Sequence, residues 1–179
     1  MFEACHTRAM NSDDLHLVLA WRNHPDVRRF MFTQHEISLA EHHNWFAKAS
    51  QDESRRLLIV EDQNNPIGYV QFSNVIEDGV SDWGFYVRPD APKGTGRKLG
   101  VTALNHAFGV LKLHKVCGQA INSNHASITF HRRLGFLQEG ILRDQQRING
   151  LYHDLHCFGQ LSHEWQPQKL FQEKKHVEN

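Results

Sequence analysis

Apolar positions along the chain change period twice, and each change marks a different kind of element. Over Asp13–Arg22, Leu15, Val18, Leu19 and Arg22 recur at helical spacing, with Ser12 or Asp13 as the expected cap. Pro25 suits the first turn of a second short helix through Phe30. Ser38-Leu39-Ala40-Glu41 is a capping-box pattern that opens a helix to about Ser50. A strand is read ahead of these helices, at Phe2–Thr7. The period then shortens. Arg56–Asp62 and Ile67–Val75 read as strands joined by Asn64-Asn65-Pro66, and Glu77-Asp78-Gly79 turns the chain into another at about Ser81–Val87.

Beyond the loop Arg88–Lys93 a helix from Gly96 places Gly100, Leu104, Ala107, Phe108 and Leu111 on one face. Val116–Ile121 is the next strand and Ser127–Leu134 a short helix. Leu137–Arg143 and Tyr152–Leu161 close the sheet as a hairpin across Asn149-Gly150, a strong turn pair. The order predicts an α/β (α+β) fold: a mixed sheet with helices packed on it, without the regular alternation of a doubly wound fold. No repeat or linker divides the chain, so residues 1–164 are read as a single domain and 165–179 as a polar, frayed tail.

Composition narrows the function. The chain has 179 residues, with 20 Lys+Arg against 20 Asp+Glu, so it lacks the basic excess expected of a nucleic-acid binder. No apolar run approaches the roughly 18 residues of a membrane span. The opening MFEACHTRAMNSDD has no apolar signal core, so a cytoplasmic setting is expected. Cys5, Cys117 and Cys157 form no C-x-x-C pair, which argues against a disulfide framework or a zinc site. The 14 histidines show no H-E-x-x-H spacing; adjacent His42 and His43 diverge by about 100° on a helix. No metal is expected.

The most informative segment is Trp83-Gly84-Phe85-Tyr86-Val87 followed by Lys93-Gly94-Thr95-Gly96-Arg97-Lys98-Leu99-Gly100. A strand feeds a glycine-containing turn that opens a helix. Glycine lets backbone N–H groups converge on an anion, and the helix start adds orphan donors. A pyrophosphate is the natural ligand, with Lys93, Arg97 and Lys98 as nearby cations. The P-loop pattern is absent, and the dinucleotide pattern fails because Leu99 stands where its third glycine should be.

Here the sequence resembles the GNAT acetyltransferase superfamily. Gly94 and Gly96 match its Gln/Arg-x-x-Gly-x-Gly/Ala loop, although the leading position is Ala91. Asn124-His125-Ala126-Ser127 through Leu134-Gly135-Phe136 is similar to its second motif. The resemblance spans Asp13 to Leu161 and implies the GNAT fold, with a mostly antiparallel sheet of about seven strands and helices on both faces. It also implies acetyl-CoA as donor. Phe85, Tyr86 and Val87 would run beside the pantetheine and acetyl group. Amides of Lys93, Gly94, Thr95, Gly96, Arg97 and Lys98 would hold the pyrophosphate. Asn124 and Ser127 would face the pantetheine arm, with Asn124 also serving as a helix cap.

Two catalytic positions follow from the same resemblance. His131 stands where the family presents a tyrosine general acid; it either donates the proton or packs beside the cofactor. Gln119 stands where some relatives carry a glutamate base. It can orient a water or the acceptor but cannot take a proton, which leaves the base unassigned.

The N-terminal half is expected to shape the acceptor site. Trp21-Arg22-Asn23-His24-Pro25-Asp26-Val27-Arg28 leads to Met31-Phe32, and the run resembles the branch of the family that acetylates UDP-linked amino sugars for pseudaminic acid. Met31 and Phe32 would provide an apolar wall or else fill the core. Arg22, Arg28 or Arg29 would meet the diphosphate or else lie on a solvated helix face, and Gln71 is a further candidate. A small-molecule amine is therefore the expected partner, with a homodimer compatible and no nucleic acid or membrane. Alternatives are an N-terminal peptide, polyamine or drug amine as acceptor, or a non-catalytic acyl-CoA-binding module.

Overall fold

Alternating burial organises residues 56–87 into three strands, and the first turn shows how the register is set. The structure, a computed structural model, describes residues 5–167. Strands β2 (Arg56–Asp62) and β3 (Asn65–Ser73) follow β1 (Cys5–Ala9). They are joined by Gln63 and Asn64, whose φ values of 51° and 63° give a two-residue turn matching the twist of a hairpin. The turn therefore begins one residue earlier than the Asn-Asn-Pro run suggests. Pro66 lies inside β3 opposite Glu61, where the register shifts, and a bulge tolerates its missing N–H. Residues 2–4 of the expected first strand lie outside the described residues.

With β4 (Val80–Val87), β5 (Lys115–Ile121), β6 (Leu137–Ile148) and β7 (Leu151–Leu161), the strands form one seven-stranded sheet in the order β1-β2-β3-β4-β5-β7-β6. Every pairing is antiparallel except that of β4 with β5. That exception is short. Val80, Ser81 and Asp82 pair with Lys115, Val116 and Cys117, and there the ladder stops. Beyond it β4 remains paired to β3, and β5 to β7, while the two strands part from each other.

Helices cover both faces. On one, α4 (Thr95–Asn105) and α5 (His125–Arg133) pack Leu99, Leu104 and Ile128 against Val70, Phe72, Trp83 and Phe158. On the other, α1 (Leu15–Asn23) and α3 (Leu39–Ala49) bury Val18 and Trp21 against Ile59 and Tyr69. The short α2 (Pro25–Arg28) stops before Phe30. A 3-10 turn at Ser12–Asp14 precedes α1, and its cap is Asn11 rather than Ser12 or Asp13. The Asn11 side chain accepts from the Asp13 amide at 2.8 Å and the Asp14 carboxylate from the Asn11 amide at 2.9 Å. The capping box of α3 forms as its sequence predicts: the Ser38 amide donates to Glu41 at 2.8 Å and the Glu41 amide to the Ser38 hydroxyl at 3.2 Å.

The C-terminal hairpin departs most from expectation. β6 does not end at Arg143 but runs to Ile148, turning at Asn149-Gly150 with φ of 49° and 84°. Midway, Leu142 pairs with Leu155 but Gln146 with His153, so the longer strand bulges. Asp144 adopts φ 51° there, and its amide donates to the Asp154 carboxylate at 3.0 Å. Trp165 packs on Phe108, and its indole donates to Asn105 at 2.9 Å. The expected tail beyond residue 167 lies outside the described residues. Among those residues, no helix is long and apolar enough to cross a membrane.

Candidate active site

Where β4 and β5 part, a cleft of about 620 Å³ opens through the sheet. Alternation along β4 gives it two sides. Trp83, Phe85 and Val87 face the α4–α5 layer, while Gly84 and Tyr86 face the α1–α3 layer beside Gln71 of β3. α5 adds Ser127 and Phe130 to the first side, next to its cap Asn124; the chain around α2 adds Val27, Phe30, Met31 and Phe32 to the second. β5 contributes Cys117, Gln119 and Ile121.

The glycine loop opens α4 beside this cleft. Gly94 caps the helix with φ 98°, a left-handed conformation that glycine adopts without a Cβ penalty. Both the amide and the hydroxyl of Thr95 donate to the Pro92 carbonyl, at 3.2 and 2.7 Å. The amides of Arg97 and Lys98 donate to the Gly94 carbonyl at 3.1 and 3.3 Å. Within Gly94–Lys98 this leaves the Gly94 and Gly96 amides without a partner among the described residues. A Cβ at Gly96 would stand 3.6 Å from the Phe130 ring and 3.7 Å from Val87, so this amide lies where α4, α5 and β4 meet. An anion at this end meets two open donors and the positive end of the helix.

Several groups expected at the donor site are already engaged within the fold. Lys98 pairs its ammonium with Asp62 at the end of β2, and each group strengthens the charged form of the other. The Thr95 amide is closed by Pro92, as above. Lys93 stays exposed in the loop, and Arg97 occupies the first turn of α4. Asn124 caps α5 by accepting from the Ser127 amide at 3.0 Å and also borders the cleft, so both roles read for it coexist.

His131 borders the cleft, but both of its ring nitrogens are engaged within the fold. It is 1 % exposed and stacks on Phe158 with ring centroids 4.8 Å apart. Its Nδ1–H donates to the Ser127 carbonyl at 2.8 Å, and its Nε2 accepts from the Trp83 indole at 3.1 Å. Burial pushes its pKa down to about 4, so the ring is neutral and its one proton faces a helix carbonyl. Of the two readings, packing beside the cofactor side is the one the geometry supports. A His131→Gln variant is therefore expected to keep kcat within about threefold and the same pH–rate profile above pH 6; a loss beyond about 100-fold would restore the acid role. Stability carries the opposite signature. The unfolded ring binds a proton near pH 6.5 while the folded one resists until about 4. The wild type therefore loses up to about 1.4 kcal/mol per pH unit as pH falls across that interval. Thermal melts of the variant should lack this component.

On the other side of the cleft, Met31 and Phe32 line the wall rather than fill the core, Phe32 being 50 % exposed. Gln71 also lies there, its carbonyl accepting from the Tyr69 hydroxyl at 3.1 Å. Gly84 makes room for it: a Cβ there would lie 3.3 Å from the Gln71 amide nitrogen. Gln119 is exposed at the cleft, where it can hold a water or an acceptor. Arg22 is not on the wall. It donates to the Thr33 carbonyl at 3.0 Å, bracing the loop that carries Met31 and Phe32, and burial lowers its pKa. The cation on the wall is Arg29, whose guanidinium lies 4.7 Å from the centre of the Phe30 ring. Sequence reasoning offered Arg29, with Arg22 and Arg28, for the diphosphate; it missed Phe30, which follows a helix too short to show a face.

Residues 6–137 match the acetyltransferase (GNAT) domain family. The chain belongs to the GNAT acetyltransferases. It is 30 % identical to acetyltransferase PseH of Campylobacter jejuni over 127 residues, covering 71 % of this chain and 79 % of that protein. It is 29 % identical to spermidine N(1)-acetyltransferase of Vibrio cholerae over 151 residues, covering 83 % and 87 %. The crystal structure of the spermidine N-acetyltransferase from Vibrio cholerae in complex with CoA and spermine superposes with a TM-score of 0.82 at 26 % identity, covering 90 % of this chain and 98 % of that one. This GNAT enzyme is an N-acetyltransferase that uses acetyl-CoA as donor. The parted strands and the open amides of Gly94 and Gly96 suit that donor. Among the described residues, no three metal-ligating side chains converge.

Proposed function

We propose that this enzyme acetylates the 4-amino group of a UDP-linked 4-amino-4,6-dideoxy sugar, the acceptor of the pseudaminic acid route. The observation that carries this reading is the composition of the acceptor wall. Phe30, Met31, Phe32 and Tyr86 offer an apolar surface for a deoxysugar, and Arg29 offers a cation for a diphosphate. The carboxylates at the cleft are Asp26 and Asp82. Asp26 lies 3.5 Å from Arg29, and Asp82 accepts from the Asn74 amide at 3.2 Å. A polyamine bearing several positive charges calls for more unpaired carboxylate than this. The likeness to PseH supports the sugar acceptor, and the likeness to the spermidine enzyme makes spermidine the natural comparator.

Acetyl-CoA supplies the acyl group as a thioester, and the amine nitrogen bonds to its carbonyl carbon as the carbon–sulfur bond breaks. In this reading the Gly94 and Gly96 amides hold the pyrophosphate, and β4 from Phe85 to Val87 runs beside the pantetheine with Asn124 and Ser127 opposite. Gln71 and Gln119 hold the amine, or a water carrying its proton, by hydrogen bonds. In this reading the neutral, buried His131 takes no part in proton transfer.

Release of CoA from acetyl-CoA, measured with the UDP-4-amino sugar, spermidine and N-terminal peptides, tests the proposal. The sugar nucleotide is expected to exceed the other amines by roughly 100-fold in kcat/KM. Preference for spermidine or a peptide overturns the acceptor while leaving the donor site standing.

A further inference from the structure

β6 is exposed along almost its whole length, and the exception lies at its far end. Of residues 137–148 only Ile148 is buried, at 7 % exposure. A residue next to a hairpin turn is ordinarily free in solvent, yet Ile148 forms a small buried cluster with Ile121 and Leu155, and the half-buried Phe30 packs against that cluster. Ile121 and Phe30 both line the cleft. The hairpin tip thus forms the back of the acceptor wall.

Its placement is built into the strand pair. The bulge at Asp144, held by Asp154, bends β6 between the sheet and the tip. His153 bonds to Asn122 at 3.2 Å, and the Asn122 amide donates to the Asp154 carbonyl at 2.9 Å, tying the tip to the chain just after β5. Phe30 in turn carries Arg29 over its ring. A shift of Phe30 therefore moves the apolar wall and its cation together.

We infer that Ile148 is a positioning residue for the acceptor: it holds Phe30, and with it Arg29, against the cleft. This rests on the reading that the acceptor lies along the Phe30 wall. The hairpin tip then sets acceptor affinity without touching the donor.

A double-mutant cycle with Ile148→Ala and Phe30→Ala tests it, using acetyl-CoA and the UDP-4-amino sugar. Ile148→Ala is expected to raise the acceptor KM about tenfold, with kcat and the acetyl-CoA KM changed less than about twofold. Ile148→Leu, which keeps the volume, restores most of the loss. In the Phe30→Ala background Ile148→Ala adds nothing further. Leu151→Ala, on the same turn but 68 % exposed, changes none of the constants. Melting temperature and acetyl-CoA affinity, followed in each variant, separate a local effect from a failure to fold.

Additive effects of the two alanines, an unchanged acceptor KM, or an equal rise in both KM values overturns the inference. If spermidine rather than the sugar nucleotide is turned over, the proposed acceptor falls, and the same cycle run with spermidine decides the role of Ile148 separately. A protein that neither binds nor acetylates either amine overturns both.

Discussion

Gly118→Ala is expected to lower the melting temperature by roughly 6–12 °C, from a loss of about 3 kcal/mol at about 2–4 °C per kcal/mol for a domain of this size. Gly118 lies on β5, where a Cβ would stand 2.3 Å from His131 Nε2 and 2.7 Å from Trp83 Nε1. Those atoms are hydrogen-bonded to each other at 3.1 Å, so a methyl group there must push them apart. Neither has room to yield. His131 is stacked on Phe158 at 4.8 Å, and Trp83 is stacked on Phe136 at 5.2 Å. The variant thus combines overpacking with two buried polar groups that lose their partner. Because Trp83 also lines the cleft, the acetyl-CoA KM is expected to rise with the loss of stability. Scanning calorimetry with parallel kinetics checks both. A shift below about 2 °C would mean that the His131–Trp83 contact yields readily.

Gly96→Asp should move stability and activity in opposite directions. The residue lies in the first turn of α4, where a carboxylate is favoured by the helix dipole by about 0.3–1 kcal/mol and glycine is a poor helix former. Its Cβ meets only ordinary contacts at 3.6 and 3.7 Å, so the backbone there accepts a Cβ. The same carboxylate would occupy the open donors proposed for the pyrophosphate and repel it. The expected result is an unchanged or slightly higher melting temperature with an acetyl-CoA KM raised at least about 100-fold. Gly96→Ala, which adds bulk without charge, should give a smaller rise. A Gly96→Asp enzyme with a normal acetyl-CoA KM would place the pyrophosphate elsewhere.

Short-range chemistry carried most of what the sequence revealed. Ser38 and Glu41 announce α3 because a capping box is complete within four residues, and Asn149-Gly150 announces its hairpin because both residues accept positive φ. The glycine loop was visible for the same reason. What the sequence hid depends on partners far along the chain. Lys98 reads as a free cation beside a phosphate until Asp62, 36 positions away, pairs with it. His131 leaves proton donation and packing equally open until Trp83, 48 positions away, caps its free nitrogen. The length of β6 was obscured by its own bulge, since Arg143, Asp144 and two glutamines interrupt the alternation that marks a strand. The acceptor wall was partly legible: Met31, Phe32 and the arginines around Arg29 stood out, but Phe30 acquires its meaning only from the hairpin tip behind it.

The parting of β4 and β5 also bears on how this protein is assembled. β1 to β4 are neighbours in the sheet in the order in which they are made, and β6 and β7 form a local hairpin. Joining these lobes requires closing the stretch that holds α4, to gain a parallel ladder of three residue pairs. Ladders formed over such a separation bring little reward before their loop entropy has been met, so they form late. The seam proposed for the donor is then expected to be the last part of the sheet to close during folding. A donor bridging the two lobes would then act as a clasp on the whole fold.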